Sequence, residues 1–374
     1  MAEMMGYWYL SLSVILLLCR FARGTTECTE CISLNDLTAH AHGISLSLHG
    51  ISSAVSFHNG SARSTASLEP TAAYVNLLER WRIESAGGGL EDPWPDGFMF
   101  EPRRESWLAG LVPPRLRNLW SSGRAVDTET SISGDAALLC EMLRALQTRN
   151  TVPPMRSVGF SVPIWTTDTQ AQDIFAAATC ANLTVRDMIH EAAATAASQG
   201  IDICRVPSDY LPCGSMHIMT LDLNKEVLIA SFHAIYRGWY LWQPRRYDVY
   251  PHVGRMLDDT NTNSNGDEAR TEQEIVDWIN EFAIDRPVHK LYLIGPLADN
   301  SVLQRAIARS RIGQQLTDIH GYASDEVVSV GAAILVKESM ESQGTDCIEP
   351  PRCERIREEA DRLAGDLHGG HTEL

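Results

Sequence analysis

Apolar positions along this chain change period several times, and each change marks an element. Residues 25–40 are polar and read as a leader. Residues 42–57 have a strand-like pattern and are followed by Asn59-Gly60, a turn signal. Residues 86–125, rich in Gly, Pro, Trp and Arg, read as a long irregular insertion. Within residues 131–149, Ala137, Leu138, Met142, Leu143 and Leu146 recur at helical spacing. Residues 158–162 form a short apolar run halted by Pro163, as a strand end should be. Thr167 and Gln170 then make a capping-box pair opening an Ala-rich helix that Asn182 closes. Thr184 with Asp187 is expected to open a second helix, with Gly200 as its C′ residue. This stretch, residues 158–200, is the one around which the chain is organised.

The second half repeats the alternation. Residues 204–215 read as a loop, and residues 217–222 and 226–232 as two strands around a tight turn. Residues 239–250 are aromatic and basic, which suits either a binding patch or a solvent-flanked strand pair with stacked Arg. Residues 258–270 are a polar surface loop, and Thr271 with Glu274 caps an amphipathic helix over 271–282. Residues 290–295 are a buried strand ending in Gly, and residues 301–311 a helix. Residues 347–374 form a charged tail with an amphipathic helix over 354–367.

Composition narrows the function. A net charge of −17 and the lack of a basic stripe argue against a nucleic-acid surface. Lysine occurs only at Lys225, Lys290 and Lys337, so residues 1–224 contain none. Residues 7–19 are an apolar run of signal-peptide length, with Ala22 and Gly24 in a small-x-small pattern before Thr25. Glu3 ahead of the run and Arg20 and Arg23 behind it also suit an uncleaved anchor. The final His371-Thr372-Glu373-Leu374 resembles the endoplasmic-reticulum retrieval signal, with Thr for Asp at its second position. Without Cys19, eight cysteines remain, an even number compatible with full pairing in an oxidising compartment. Cys204/Cys213 and Cys347/Cys353 are near enough to close small loops, and Cys28 and Cys31 read as structural or unpaired rather than redox-active. Zinc spacing is missing. Asn59-Gly60-Ser61 and Asn182-Leu183-Thr184 are glycosylation sequons, the second blocked if Asn182 is packed between helices.

Val162, Pro163, Trp165, Asp168, Thr169 and Gln170 fall in step with the Val-Pro strand, aromatic and Asp-Ser-Gln helix start of the seventy-kilodalton heat-shock chaperones, whose nucleotide-binding domain this chain resembles. Glu191, Ala192, Ala193 and Ala194 follow the family's first inter-lobe connection, and Gly331, Ala332 and Ala333 its second. The first phosphate hairpin lies over residues 47–55, with Ser47 at the metal-side Asp position and His49 at the first loop Gly. A second register puts Ser45 at the Asp position. The second hairpin keeps Asp222 and Leu223, with Asn224, Lys225 and Glu226 in place of three glycines. Gly295 matches the first glycine of the adenosine motif, whose second Gly and Ser are Pro296 and Leu297 here.

The resemblance implies an α/β, two-lobed actin-like ATPase fold of ribonuclease H-like repeats, with a reduced second lobe and no peptide-binding domain. It divides the chain into a signal or anchor (1–24), leader (25–40), lobe I (41–200), lobe II with the closing inter-lobe helix (201–340) and tail (341–374). It implies ATP or ADP with Mg²⁺, with Asp222 and Glu191 as catalytic residues and Asp222 on the metal. Ser47, Gly50, Ser52, Asn224, Gly295 and Gly331 would line the nucleotide. The family's first-hairpin Asp and first-lobe Lys are missing, and Arg82, Arg103 or Arg124 is not an equivalent point charge. The expectation is a degenerate ATPase of the secretory pathway, most simply of the endoplasmic-reticulum lumen, serving as a binding or scaffold module for an unidentified protein partner. Alternatives are a weak but genuine ATPase and a secreted hydrolase of unrelated α/β fold, although no Gly-x-Ser-x-Gly elbow, His-Glu-x-x-His or triad is found. Membrane contact is expected only if the N-terminal run stays as an anchor.

Overall fold

A computed structural model describes residues 26–27, 31–87, 132–150, 154–200, 216–224, 227–236, 241–253, 265–284, 287–316, 319–321, 325–341, 347–348 and 350–369. The expected signal, the 204–215 loop, most of the 86–125 insertion and the last residues lie outside these. Two compact units emerge: Ala41–Ser56 with Ala62–Val336, and Met1–His40 with Phe57–Ser61 and Lys337–Leu374.

The larger unit holds two five-stranded sheets. In the first, β2 (Ala41–Ser47), β3 (Gly50–Ser56) and β4 (Ala62–Leu68) form an antiparallel meander. On the other side of β2 lie β5 (Ser157–Val162) and then β6 (Thr184–His190), both parallel. The spatial order is β4-β3-β2-β5-β6. In the second, β7 (Met216–Leu223), β8 (Val227–Tyr236) and β9 (Leu241–Pro251) repeat the meander. Here β10 (Lys290–Ile294) and β11 (Ile319–Gly321) repeat the parallel pair, giving β9-β8-β7-β10-β11.

Helices take matching places in the two repeats. Of α2 (Ala72–Gly87) and α3 (Gly134–Arg149), the second precedes β5 as α6 (Asn265–Phe282) precedes β10. Between the parallel strands run α4 (Asp168–Cys180) in the first repeat, and α7 (Ser301–Arg309) with α8 (Arg311–Gln315) in the second. Each repeat ends in a helix, α5 (Glu191–Ser198) and α9 (Asp325–Glu341). A β-meander with two parallel strands on its first edge, made twice, is a duplicated ribonuclease H-like unit. The chain has the two-lobed actin-like ATPase fold.

Period-two alternation decides which face of each sheet is apolar. In the first sheet Ile44, Leu46, Ile51, Val158, Phe160 and Val162 face α2, α3 and α4 and join Tyr74, Leu78, Leu139, Leu143 and Ile174 in one core. In the second, Met219, Leu221, Leu223, Leu291 and Leu293 pack with Ile275, Ile279 and Phe282 of α6 and Leu303 of α7. The alternate positions of the first sheet are small: the rungs Ala54–Gly43–Gly159 and Ser52–Ser45–Ser161 cross β3, β2 and β5. A Cβ on Gly43 would overlap the α9 backbone at Ser329 and Ala333, so this helix lies directly on the sheet. The small residues are thus a packing surface for α9.

Several expectations are corrected. Thr184 and Asp187 do not open a helix: residues 184–190 pair with β5 as a strand, and α5 begins only at Glu191, without a side-chain cap. Thr167 and Gln170 do form a full capping box on α4, and Asn182 and Gly200 take positive φ at the expected helix ends. Thr271 is not an N-cap. It is buried well inside α6, and Glu274 bonds Arg270 and Tyr250 instead.

In the smaller unit, the polar leader contains β1 (Thr26–Glu27), which pairs in parallel with β12 (Cys347–Ile348), and α1 (Leu34–Thr38), capped by Ser33. The tail forms α10 (Pro351–Gly369). Cys353 does not pair with Cys347; its disulfide is to Cys31, 322 residues away, and a second disulfide joins Cys140 to Cys180. The buried Lys337 ammonium donates to the Leu37 and Ala39 carbonyls at 2.5 and 2.8 Å, satisfying carbonyls at the end of α1. Glu341, 3.0 Å away, balances its charge. No helix among the described residues is long and apolar enough to cross a membrane.

Candidate functional site

Two hairpins, β2–β3 and β7–β8, supply the candidate site, and their registers identify equivalent residues. The first turn closes on the pair Ser47 and Gly50, with Ser45 opposite Ser52. The second closes on Asn224 and Val227, whose N–H and C=O bond at 3.0 Å, with Asp222 opposite Ile229. Counting inward from each turn, Ser45-Leu46-Ser47 occupies the rungs of Asp222-Leu223-Asn224. The position equivalent to Asp222 is therefore Ser45 and not Ser47. The second of the two sequence registers is the one the duplication supports, and it leaves a neutral hydroxyl where the repeat has a carboxylate.

Asp222 is buried, 5% exposed, at the end of β7. Its Oδ1 lies 2.9 Å from His49 Nε2, at the tip of the first turn. Both side chains are largely enclosed, at 10% and 7% exposure. An imidazole from one repeat thus bridges to the carboxylate of the other. Gly295 completes the locus. It follows β10 at φ +93, where glycine alone is unstrained, and a Cβ there would stand 2.5 Å from Asp222 Oδ1 and 3.0 Å from His49 Nε2.

The other expected residues divide into three groups. Ser47 serves its own turn: its Oγ accepts from the His49 N–H at 3.1 Å and reaches the Gly50 carbonyl at 3.4 Å. Gly50 lies beneath Tyr74, whose hydroxyl donates to its carbonyl at 3.2 Å, and Ser52 is buried beside Ser45. Asn224 Oδ1 accepts from the Val227 N–H at 2.7 Å, so the side chain stands in for turn-forming glycine. Glu191 is buried at the first position of α5, and Gly331 lies where α9 crosses α5. A Cβ on Gly331 would overlap the Ala194 carbonyl oxygen and come within 3.0 Å of Ala194 Cα. Gly331 packs directly against the α5 backbone. Its role in letting two connecting helices cross closely is as expected.

ATP or ADP with Mg²⁺ is the ligand the heat-shock resemblance implies, and the hairpins depart from that family's pattern at several positions. The carboxylate meant for the metal side is held by an imidazole. The His49 N–H in the turn is taken by Ser47. The Asp-equivalent Ser45 has no charge, and its Oγ has no hydrogen-bond partner among the described residues. Arg82, one of the arginines that could replace the missing lysine, is bonded to Glu79 through Nε and a terminal nitrogen. Among the described residues, no three His, Cys, Asp or Glu are grouped to hold a metal ion.

A second polar cluster lies on the Asp222 side of the second sheet. Thr220 bonds Ser231 across the strands, and Ser231 Oγ lies 2.8 Å from His233 Nε2. Burial pushes the His233 pKa down to about 3, helped by nearby His190, which burial itself lowers to about 4. Both are neutral imidazoles at physiological pH. Sequence reading passed over this cluster because its members look like ordinary strand residues.

No protein-family model matches the chain, and no curated protein does. Among solved structures, the ethanolamine utilization protein EutJ from Carboxydothermus hydrogenoformans is similar at 12% identity, with a TM-score of 0.43 over 79% of this chain and 89% of that one. A likeness at that level carries no argument about function. What fixes the fold is the strand order repeated in the two sheets.

Proposed function

We propose that this chain is a pseudo-ATPase: a two-lobed domain of heat-shock type that has lost nucleotide turnover and works in the secretory pathway as a protein-binding or scaffold module. The observation that carries the reading is the His49–Asp222 bridge. In-line attack on a γ-phosphate needs charge-stabilising groups turned toward the phosphates and metal. Here the turn that should admit phosphate presents an imidazole to the carboxylate. Ser45 in place of a second carboxylate and the lysine-free first 224 residues point the same way.

The two disulfides among the described residues and the signal-like N-terminus support the secretory part of the reading, because structural disulfides persist in oxidising compartments. Loss of turnover leaves the folded surface as the functional feature, and a partner protein as its ligand.

Thermal unfolding under oxidising conditions, with and without millimolar Mg²⁺–ATP or Mg²⁺–ADP, tests the proposal. A ligand at 100 times its Kd would add about 2.7 kcal/mol of stability. We expect no rise in the midpoint. A rise that grows with nucleotide concentration and disappears in Asp222→Ala would establish instead that the site still binds nucleotide through this hairpin.

A further inference from the structure

We propose that Asn59 is an N-glycan acceptor, the modified residue of the loop between β3 and β4. The inference rests on the secretory reading above, since the sugar donor is lumenal. Asn59, Gly60 and Ser61 are all exposed. Their turn is closed by the Phe57 N–H on the Ser61 carbonyl at 2.8 Å and the Gly60 N–H on the Phe57 carbonyl at 3.0 Å. Within it, Asn59 Oδ1 accepts from the Ser61 N–H at 2.9 Å and from its hydroxyl at 2.6 Å. The two side chains that define the sequon therefore meet in a local Asx turn.

The tip also has room. Gly60 has φ +79, and no atom of the described residues lies within 4 Å of where its Cβ would be. The flanking side chains have other partners in the same unit. His58 bonds Glu341 at 2.9 Å and Asp361 at 3.2 Å, and the Phe57 ring packs edge-on against His40. These contacts are made by the flanking side chains and not by the Asn59 carboxamide.

The other sequon is built differently. Asn182 is exposed rather than packed between helices, so the expected block is not burial of the acceptor. Its neighbour Leu183 is buried, however, and Thr184 is fixed in β6, with its N–H on the Arg156 carbonyl at 2.7 Å. That sequon is drawn into the sheet, whereas the one at Asn59 is an exposed turn between two strands.

In the reaction, the Asn59 carboxamide nitrogen attacks the anomeric carbon of an oligosaccharide carried on a lipid pyrophosphate. The Nδ2–C1 bond forms, the C1–O bond to pyrophosphate breaks, the lipid pyrophosphate leaves and Nδ2 loses one proton.

The test is to express the full chain with its own N-terminus in cultured animal cells and treat it with peptide N-glycosidase. The expected result is a loss of mass on treatment, with Asn59 converted to Asp in the released peptide. Asn59→Gln and Ser61→Ala should abolish the modification, and Ser61→Thr should keep it. A shift that survives Asn59→Gln but not Asn182→Gln would overturn the assignment. A protease-protected, disulfide-bonded chain unmodified at Asn59 would overturn the glycan proposal and leave the secretory reading standing. An unprotected chain with reduced Cys31 and Cys353 would overturn both.

Discussion

Cys140 in α3 and Cys180 at the end of α4 are joined across 40 residues. Replacing both with Ala opens that loop in the unfolded state while removing little from the fold. Loop-closure entropy for such a length is worth about 4 kcal/mol at 25 °C. With an unfolding entropy of about 2.1 cal/mol/K per residue, each kcal/mol moves the midpoint of a chain this long by about 1–2 °C, so the double variant should melt about 4–8 °C lower. The assay is thermal unfolding followed by circular dichroism in non-reducing buffer at matched protein concentration. Cys140 is 2% exposed, so its truncation adds a small cavity loss in the same direction. In excess reductant, wild type should fall at least as far, because Cys31–Cys353 opens as well. An unchanged midpoint, with both thiols shown by mass to be oxidised in the wild type, would refute the reasoning. It would mean either that the two helices are not bridged or that the unfolded chain is already restricted there.

Gly331→Ala should destabilise the chain by at least about 1–3 kcal/mol, because two helix backbones must separate to admit a methyl group. Gly134→Ala, at an open position in the first turn of α3, should be neutral or slightly stabilising; equal chemical-denaturation midpoints for the two variants would contradict the crossing. His233 gives a pH dependence of definite sign. Its folded pKa of about 3 lies below the unfolded value of 6.5, so between those limits the unfolded chain takes a proton that the fold refuses. Its stability is intact above pH 6.5 and falls on acidification, by about 2 kcal/mol at pH 5. His233→Gln should flatten that part of the stability–pH curve, and an identical slope in the variant would count against a buried neutral imidazole.

Much of the architecture was legible because it is local. The capping box at Thr167 and Gln170, the Pro163 strand end and the turn at Asn59-Gly60 are each set by a few adjacent residues. The helix α2 was also legible yet passed over: Tyr74, Leu77, Leu78 and Trp81 stand at i, i+3, i+4 and i+7. Residues 184–190 misled because Thr184 and Asp187 mimic a capping pair, while the β5 partner that makes them a strand is a tertiary contact. Disulfide partners were likewise hidden, since Cys353 lies six residues from Cys347 yet pairs with Cys31. Asp222 was readable from its hairpin. Its bridge to His49 spans 173 residues, and no local pattern encodes it. The register of the first hairpin became decidable only when the second could be laid beside it.

The most direct test of the central claim is a crystal structure of the oxidised chain grown with millimolar Mg²⁺–ATP. We expect His49 Nε2 within hydrogen-bond distance of Asp222, with no phosphate against the Ser47–Gly50 turn. Triphosphate and metal seated there, with His49 swung away from Asp222, would contradict the account.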